Sequence, residues 1–598
     1  MLTVVFGVWL VVVLAGVVMS VRRGATRPRA QRFAESSYWM ALVLAVAFGF
    51  APLVAPRVER ADGPSEFSVD RALAHIGVVA RRPHPIGTVA NENVRDYVTR
   101  ELREMGLDPD FQGTPVPDYY GDARTVEVVN VVARIPGTAP TGAVALVAHF
   151  DSFPETPGAN DNASGVAVIL ETARSLLAEG ALRNDVILLF TDGEEPAPRY
   201  GANAFVDRHR WFDDVRFAVN LEAIGSGGPS MAIEINGSQS WVIDRLVAAA
   251  PNPVAFSFLT ETTELIGGSN TDFAPFRDSG IAGVEFAYAR GSPIYHTAAD
   301  TPESVSGRSL QSHGVNTLGL VRLLGDEDLT SIHGDDRVFF TIGGHHVVRY
   351  PAGWAMPIVV VAGAVWLATI QRRRSWRATL KSAVLASGAA VSVALVAAVV
   401  WTVVAGWRNT MGVAESYVYL FGLVALTAAV MVVPLPGRPA IERHLVPEGI
   451  VAVWLVLALA TALAAPGMSY LFAWPSAVAA SVLIVGNGAS SAWLRLVLAS
   501  LTVGVTCVVM VPAVDTFFQF AQPRPGNPDS QILPAVAIPV LLAALAIQLV
   551  LTLRPTTVAR PTDLDRPRRG HRSHHGSGRL RSPEHGVCAL DSSHESPT

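Results

Sequence analysis

The sequence predicts an α/β domain, with a mostly parallel sheet sandwiched by helices, joined to an all-α multispanning membrane region. Three observations predict it. The 598-residue chain is 50% hydrophobic but only 16% charged, well below the roughly 25% of ordinary soluble domains. The charge is unevenly placed: residues 60–340 mix acids and bases, while both flanks are long apolar runs. Within 60–330, apolar strand runs alternate with segments of helical periodicity, the pattern of helices packed on a parallel sheet.

The apolar runs come first. A span needs about 20 mostly apolar residues, and "LTVVFGVWLVVVLAGVVMS" from Leu2 supplies them with no basic residue ahead of it. It reads as a span rather than a cleaved leader. A basic loop with Arg22, Arg23, Arg27, Arg29 and Arg32 follows, then a second span near 38–55, so residues 1–56 form a two-helix unit. After the soluble domain (60–330) and a connector (331–353), seven further runs lie near 354–370, 380–405, 414–434, 447–465, 469–486, 496–514 and 532–553. Basic loops stay on the cytoplasmic side. The first loop, "QRRRSWR" at 371–377 and "RPAIER" at 438–443 all fall inside by alternation, which puts 60–345 outside. The expected protein is multi-pass in the lipid bilayer with its soluble domain extracytoplasmic. Lys381 is the single lysine, a coding bias that suggests a bacterial plasma membrane; a eukaryotic chain would sit in a vacuolar or ER membrane. The tail, 554–598, is rich in Arg, Pro, Gly and Ser without apolar period, and is expected to be disordered.

Composition also excludes. The net charge of −5 offers no basic footprint for nucleic acid. The two cysteines, Cys507 and Cys588, both lie outside the soluble domain, which therefore uses neither disulfides nor thiolate ligands.

Within the soluble domain, "TVEVVNVVARI" and "AVALVAHF" read as adjacent strands. "ASGVAVILETARSLLAEG" is a helix stopped by Gly180. "DVILLFTD" is a buried strand, "GANAFVDRHRWF" a short helix, "VRFAVNLEAIG" and "IAGVEFAYA" strands, and "SLQSHGVNTLGLVRLLG" a final helix. Ligands of such sheets bind beyond the carboxyl ends of the strands. The polar residues collected there are His149 and Asp151 after one strand, Asp192, Glu194 and Glu195 after the next, Glu222 in "NLE", and His296 in the loop after "VEFAYA". Asp161 precedes a helix on the same edge. Unpaired, so many carboxyl groups would raise one another's pKa values; divalent cations resolve the conflict. Imidazole and carboxylate without thiolate suit a catalytic zinc site, with Co2+ or Mn2+ as substitutes. Two histidines and three carboxylates suffice for two ions, held about 3.5–4 Å apart in such sites. The adjacent acids of "GEE" leave one carboxylate over as a general base.

The motifs "HFDS", "GANDNASGVA", "FTDGEE", "NLEAIG", "NTDFAPF" and "YHTAADT" occur in this order. In that order they resemble the zinc aminopeptidase and glutamate carboxypeptidase II superfamily. The similarity is to its membrane-bound branch, the vacuolar membrane protease and Fxna-like ER metallopeptidase group. It covers about residues 65–325 in motif and the membrane half in layout. The resemblance implies a zinc exopeptidase-like ectodomain and hydrolysis of a peptide substrate, with aminopeptidase action the expected form. It implies two Zn2+, one on His149 and Glu222, the other on Glu195 and His296, with Asp161 bridging. It implies Glu194 as general base, Asp151 as the residue orienting His149, and Tyr295 as an oxyanion partner. Asp272 in "NTDF" would line the pocket. Two features depart from the soluble aminopeptidases: Glu222 stands where they have Asp, and "GEEPAPRYGANAF" replaces their turn after the paired acids. Two rival readings stay open. A glutaminyl cyclase on the same scaffold would use one zinc, and a transporter or receptor would use the domain only to bind peptides. Against transport, the apolar half carries few acids, among them Glu415 and Asp515 near the ends of runs.

Overall fold

The computed structural model describes residues 29–61, 63–118, 125–195, 198–344, 346–411, scattered positions in 420–428, and 446–486, 492–520 and 532–553. A seven-stranded sheet organises the soluble region. Its strands are β1 (Asp110–Pro117), β2 (Thr125–Ile135), β3 (Ala143–His149), β4 (Asp185–Thr191), β5 (Val215–Ala223), β6 (Met231–Asn236) and β7 (Ala282–Tyr288). The spatial order is β1-β2-β4-β3-β5-β7-β6. The inner four are parallel, while β1, β2 and β6 join antiparallel at the two sides.

The mostly parallel sandwich is as expected, but the neighbours of β2 are not. The sequence suggests β2 beside β3; instead β4 lies between them, with Val131 opposite Phe190. The helix leaving β3 returns the chain so that β4 pairs parallel along β3, Val144 opposite Val186, and β2 caps that new edge. The side strands β1 and β6 have no counterpart in the sequence reading. Pro115 and Pro117 in β1 cannot donate to a ladder and suit an edge.

Alternation explains the two-sided packing. On β3, Val144, Leu146 and Ala148 face one cluster, while Ala143, Ala145 and Val147 face another. The first cluster is covered by α2 (Val69–Val79), α3 (Val89–Glu104), α4 (Ala163–Glu179), α6 (Gln239–Ala249) and α9 (Gly307–Asp326). The second holds Phe205 of α5 (Tyr200–Arg208) with Phe273 and Phe276 of α8 (Phe273–Asp278). Because helices cover both faces, the central strands read as unbroken apolar runs rather than as alternating ones.

Apolar helices make up the rest: α1 (Arg29–Phe50), α10 (Ala355–Arg373), α11 (Trp376–Met411), α12 (Pro447–Ala464), α13 (Tyr470–Gly486), α14 (Ala492–Phe520) and α15 (Ile532–Thr552). Among the described residues five segments are long and apolar enough to cross a membrane: Ser36–Leu53, Ala352–Arg373, Trp376–Val400, Pro447–Ala464 and Trp493–Phe520. Tyr470–Val485 and Ala537–Thr552 are shorter apolar helices at two further expected spans. The helix α1 starts at Arg29, ahead of the expected span near 38. The expected span at 2–20 and the tail lie outside the described residues, as does most of 414–434.

The two regions are packed together within one compact unit. A hairpin, β8 (Arg337–Ile342) with β9 (His346–Pro351), fills part of the segment read as a connector. Phe340 of β8 stacks on Tyr470 at 4.4 Å. From α7 (Ser257–Leu265), Phe258 packs on Phe517, the Ser257 hydroxyl donates to the Gly467 carbonyl at 2.6 Å, and the Gly467 N–H donates to Glu261 at 2.8 Å. Met231, Ile233, Ala287 and Ala289 of the sheet side belong to the same apolar cluster as Leu53, Trp454 and Phe517.

Candidate active site

The site lies at the carboxyl ends of the parallel strands, and each element delivers its residue for a local reason. His149 is the last residue of β3 and is 1% exposed. Asp161 sits in the loop before α4, where two asparagines fix it. The Asn162 side chain accepts the Gly165 N–H at 3.0 Å, capping the helix, and donates to the Leu221 carbonyl of β5 at 2.7 Å. Asn160 donates its backbone and side-chain N–H groups to Asp300 and accepts the Tyr288 hydroxyl. The Asp161–Asn162 peptide is cis. After β4 the chain turns at Gly193, whose φ of +81° suits glycine, and this brings Glu194 and Glu195 back over the sheet end. Glu222 is the penultimate residue of β5.

His296 comes from the loop after β7, with a left-handed backbone at φ +57°. Phe153 stacks on its ring at 4.3 Å, and Tyr295 at 3.8 Å. Tyr295 thus lies flat against the imidazole.

The structure brings all eight expected residues together. Asp161 stands between the imidazoles, with Oδ1 3.3 Å from His149 Nε2 and Oδ2 3.2 Å from His296 Nε2. Glu222 lies 3.7 Å from His149 Nε2, Glu194 lies 4.0 Å from it, and Glu195 lies 3.1 Å from His296 Nε2. Three groups place their donor atoms within 4.8 Å of one another: His149–Asp161–Glu222, Asp161–Glu195–His296 and His149–Glu194–Glu195. Asp161 is shared by the first two.

Asp151 meets His149 through its main chain. Its backbone carbonyl accepts from His149 Nδ1 at 3.0 Å, while its carboxylate stands 3.6 Å away. The carboxylate instead accepts the N–H groups of Glu194 and Glu195, both at 3.2 Å. A carbonyl can only accept, so Nδ1 carries the proton and Nε2 faces the acids.

The residues fit divalent metal. His149 Nε2, Asp161 Oδ2 and His296 Nε2 are buried and make no hydrogen bond in spite of the short separations, as inward-facing ligand atoms would. Buried polar atoms left so are costly. Electrostatics point the same way. Burial lowers the affinity of both imidazoles for a proton, but the surrounding carboxylates outweigh it, holding His149 well above its ordinary value and His296 at about 9. Burial pushes Glu195 up to about 8, and Glu194 well above the carboxylate range with Glu222, Glu195 and Asp272 adding to it. Burial would raise Asp161 too, but the two histidines hold it low. Bound cations would draw the acids back down.

Two acids around the site were not assigned a role from sequence. Asp300, four residues after His296, takes the Asp161 N–H at 3.1 Å as well as the two Asn160 groups. Its signal was its place in "YHTAADT". Asp192 accepts from Val129 N and Asn91 Nδ2, both at 2.9 Å, and ties the Gly193 turn to β2 and α3. Asp272 is buried and bonded to Thr191, with burial raising it to about 7.

With this geometry, residues 130–321 match the family model of Peptidase family M28. The segment is an M28 peptidase domain. Human endoplasmic reticulum metallopeptidase 1 is 34% identical to the chain over 249 residues, which is 40% of this chain and 27% of the relative. Vacuolar membrane protease of Candida albicans (strain SC5314 / ATCC MYA-2876) is 30% identical over 247 residues, 41% of this chain and 29% of the relative. The chain thus spans under a third of these two relatives. A solved zinc aminopeptidase from Bacillus subtilis aligns at 18% identity over 45% of this chain and 97% of its own, with a TM-score of 0.36. A glutaminyl cyclase from Porphyromonas gingivalis aligns at 18% over 43% and 98%, with a TM-score of 0.35.

Proposed function

We propose that this protein is a membrane-anchored zinc metallopeptidase that acts as an aminopeptidase through a two-metal site. The observation that carries the reading is Asp161, shared between a His149–Glu222 group and a Glu195–His296 group, with Glu194 beside them. His149 and Glu222 would hold one zinc, Glu195 and His296 the other, and Asp161 both. Zinc bound there supplies Lewis-acid polarisation of the scissile carbonyl and a nucleophilic water at neutral pH. Glu194 takes the proton from that water and returns it to the leaving amine. A carboxyl whose proton affinity burial raises is suited to accept that proton and pass it on. Asp151 holds the backbone turn that presents Glu194 and Glu195, and its carbonyl fixes the His149 tautomer. Tyr295 is the partner for the carbonyl oxygen as it gains charge.

In this reading the domain is extracytoplasmic, and the way the apolar helices meet it supports that. The carboxyl ends of α1, α12 and α14 and the amino ends of α10 and α13 all meet it, through Leu53, Gly467, Phe517, Ala355 and Tyr470. That is the alternation the basic loops require.

The test uses full-length protein in detergent, loaded with zinc, on free-amine and N-acetylated copies of one peptide. Cleavage of the free-amine peptide alone is the expected result. Cleavage of the blocked copy would move the activity to endo- or carboxypeptidase. Cyclisation of an N-terminal glutamine without hydrolysis would replace the reading with the single-zinc cyclase, and metal-replete folded protein inert on all substrates would replace it with peptide binding.

A further inference from the structure

Helix α7 lies where the soluble domain meets the apolar helices, and its end carries the most exposed large apolar side chain among the described residues. Leu265, its last residue, is 64% exposed, and Ile266, the next, is 77%. The rest of α7 shows which way this end faces. The Ser257 hydroxyl donates to the Gly467 carbonyl, and one turn later Glu261 accepts the Gly467 N–H. Two contacts a turn apart on one residue lay the helix sideways across the turn between α12 and α13. Leu265 follows Glu261 by four residues and Phe258 by seven, so the three share a side of the helix. On that side Phe258 packs on Phe517 of α14, and Leu265 projects one turn farther along. Two features show what surrounds the helices at this level. Val456, Leu459 and Leu463 are exposed on α12, a stripe at helical spacing that runs almost to the turn holding Gly467. On a helix read as a span such a stripe faces lipid. Trp354, 60% exposed, directly precedes α10, and Trp474 near the start of α13 donates to the Tyr350 hydroxyl at 3.2 Å. Trp and Tyr gather at the boundary of membrane and water. Other contacts pin the domain at this boundary: Arg290, beyond β7, donates to Asp515 of α14 at 3.1 Å, and Phe340 stacks on Tyr470.

We propose that Leu265 and Ile266 form a lipid contact, seated at the headgroup and acyl boundary of the outer leaflet. An apolar side of a helix lying along a membrane enters that boundary by about 5–10 Å. Glu261 and Glu264 on the same helix keep the contact at headgroup depth, because a carboxylate is costly to carry into hydrocarbon. The inference rests on the membrane-anchored reading above and is independent of the metals. It reaches the site all the same. Asp272 comes six residues after Ile266, at most about 20 Å away, and the Ser269 N–H between them is fixed on Glu234 at 2.8 Å. The pocket wall and the lipid contact thus share one loop, and peptide ends at the bilayer surface come close to the site.

The experiment uses full-length protein carrying Cys588→Ser, with the buried Cys507 left in place, reconstituted in vesicles of phosphatidylcholine and phosphatidylglycerol. Leu265→Cys and Ile266→Cys are each labelled with the environment-sensitive fluorophore NBD. Both side chains are exposed, so neither substitution empties a packed site and each label is a separate test. Leu463→Cys, on the exposed stripe of α12, is the lipid control. Phe111→Cys is the water control: Phe111 is exposed on β1, at the far edge of the sheet from β6, whose Met231 and Ile233 pack with the apolar helices. Quenching by doxyl-labelled lipid and by iodide is measured at each position. The labels at 265 and 266 are expected to emit to the blue of the label at 111. They should be quenched by doxyl lipid, as at 463, and be shielded from iodide. Iodide quenching equal to that at 111, with no quenching by doxyl lipid, would overturn the inference. Shielding from both quenchers would overturn it in favour of a protein covering the pair. No doxyl quenching at 463 would fail the membrane-anchored reading itself, and the inference with it. Hydrolysis plays no part in the readout, so a failure of the peptidase reading leaves the result standing.

Discussion

Replacing Glu194 by Gln separates a base from a ligand. The substitution keeps size and shape but removes the proton acceptor. The turn is undisturbed, because Glu194 is held through its backbone N–H on Asp151 rather than through its side chain. The Glu194 carboxylate lies 4.0 Å from His149 Nε2, farther than Asp161 at 3.3 Å or Glu222 at 3.7 Å. That greater distance suits a proton acceptor rather than a ligand. General-base catalysis contributes roughly 10²- to 10⁴-fold, so kcat should fall by that factor, a barrier rise of about 2.7 to 5.4 kcal/mol. KM and the number of bound zinc ions should stay as they are. The assay is peptide hydrolysis beside metal analysis on the same preparation. Loss of an ion together with activity would refute the reasoning and make Glu194 a ligand, in keeping with its grouping with His149 and Glu195. Activity within tenfold of the wild type would refute it in the other direction.

Asp151→Asn leaves one of two N–H groups without a good acceptor, because an amide offers one oxygen where the carboxylate uses two. Zinc affinity, read by chelator competition, should weaken by about 10- to 100-fold; unchanged affinity would remove Asp151 from the support of the site. His313 is fully buried with its Nδ1 on the Ser230 hydroxyl, and burial lowers it to about 3. The unfolded chain, with its histidine near 6.5, binds a proton that the folded one refuses. Stability from this residue is therefore complete above pH 6.5 and is lost as pH falls toward 3. Between pH 7 and pH 5 the loss is about 2 kcal/mol. The difference in unfolding free energy between wild type and His313→Asn, from denaturant titration, should shrink by that much over the interval, and parallel curves would contradict it.

The chemistry of the site was legible because it is written locally. The apolar runs of β3, β4 and β5 stop abruptly at or beside His149, Glu194 with Glu195, and Glu222, and parallel sheets collect such ends along one edge. The role of Asp151 was legible only in part. Its identity and place were plain, but whether carbonyl or carboxylate meets His149 depends on a turn closed by Gly193 and on N–H groups more than 40 residues away. The order of strands was less legible still. A strand records which of its residues are buried, not which neighbour buries them, so β4 between β2 and β3 could not be read from any of the three. The edge strands escaped because β1 is half exposed and contains two prolines, and because β6 has only six residues.

Periodicity and residue type thus carry the α/β class, the apolar helices and the likeness of the site to a metal centre, since each follows from a few neighbouring residues. The strand order, the tether of Asp161 to Asp300 and the reach of Arg290 to Asp515 emerged from the packed chain. These partners are 139 and 225 residues apart, and contacts over such distances depend on how whole layers close on one another, which no local pattern records.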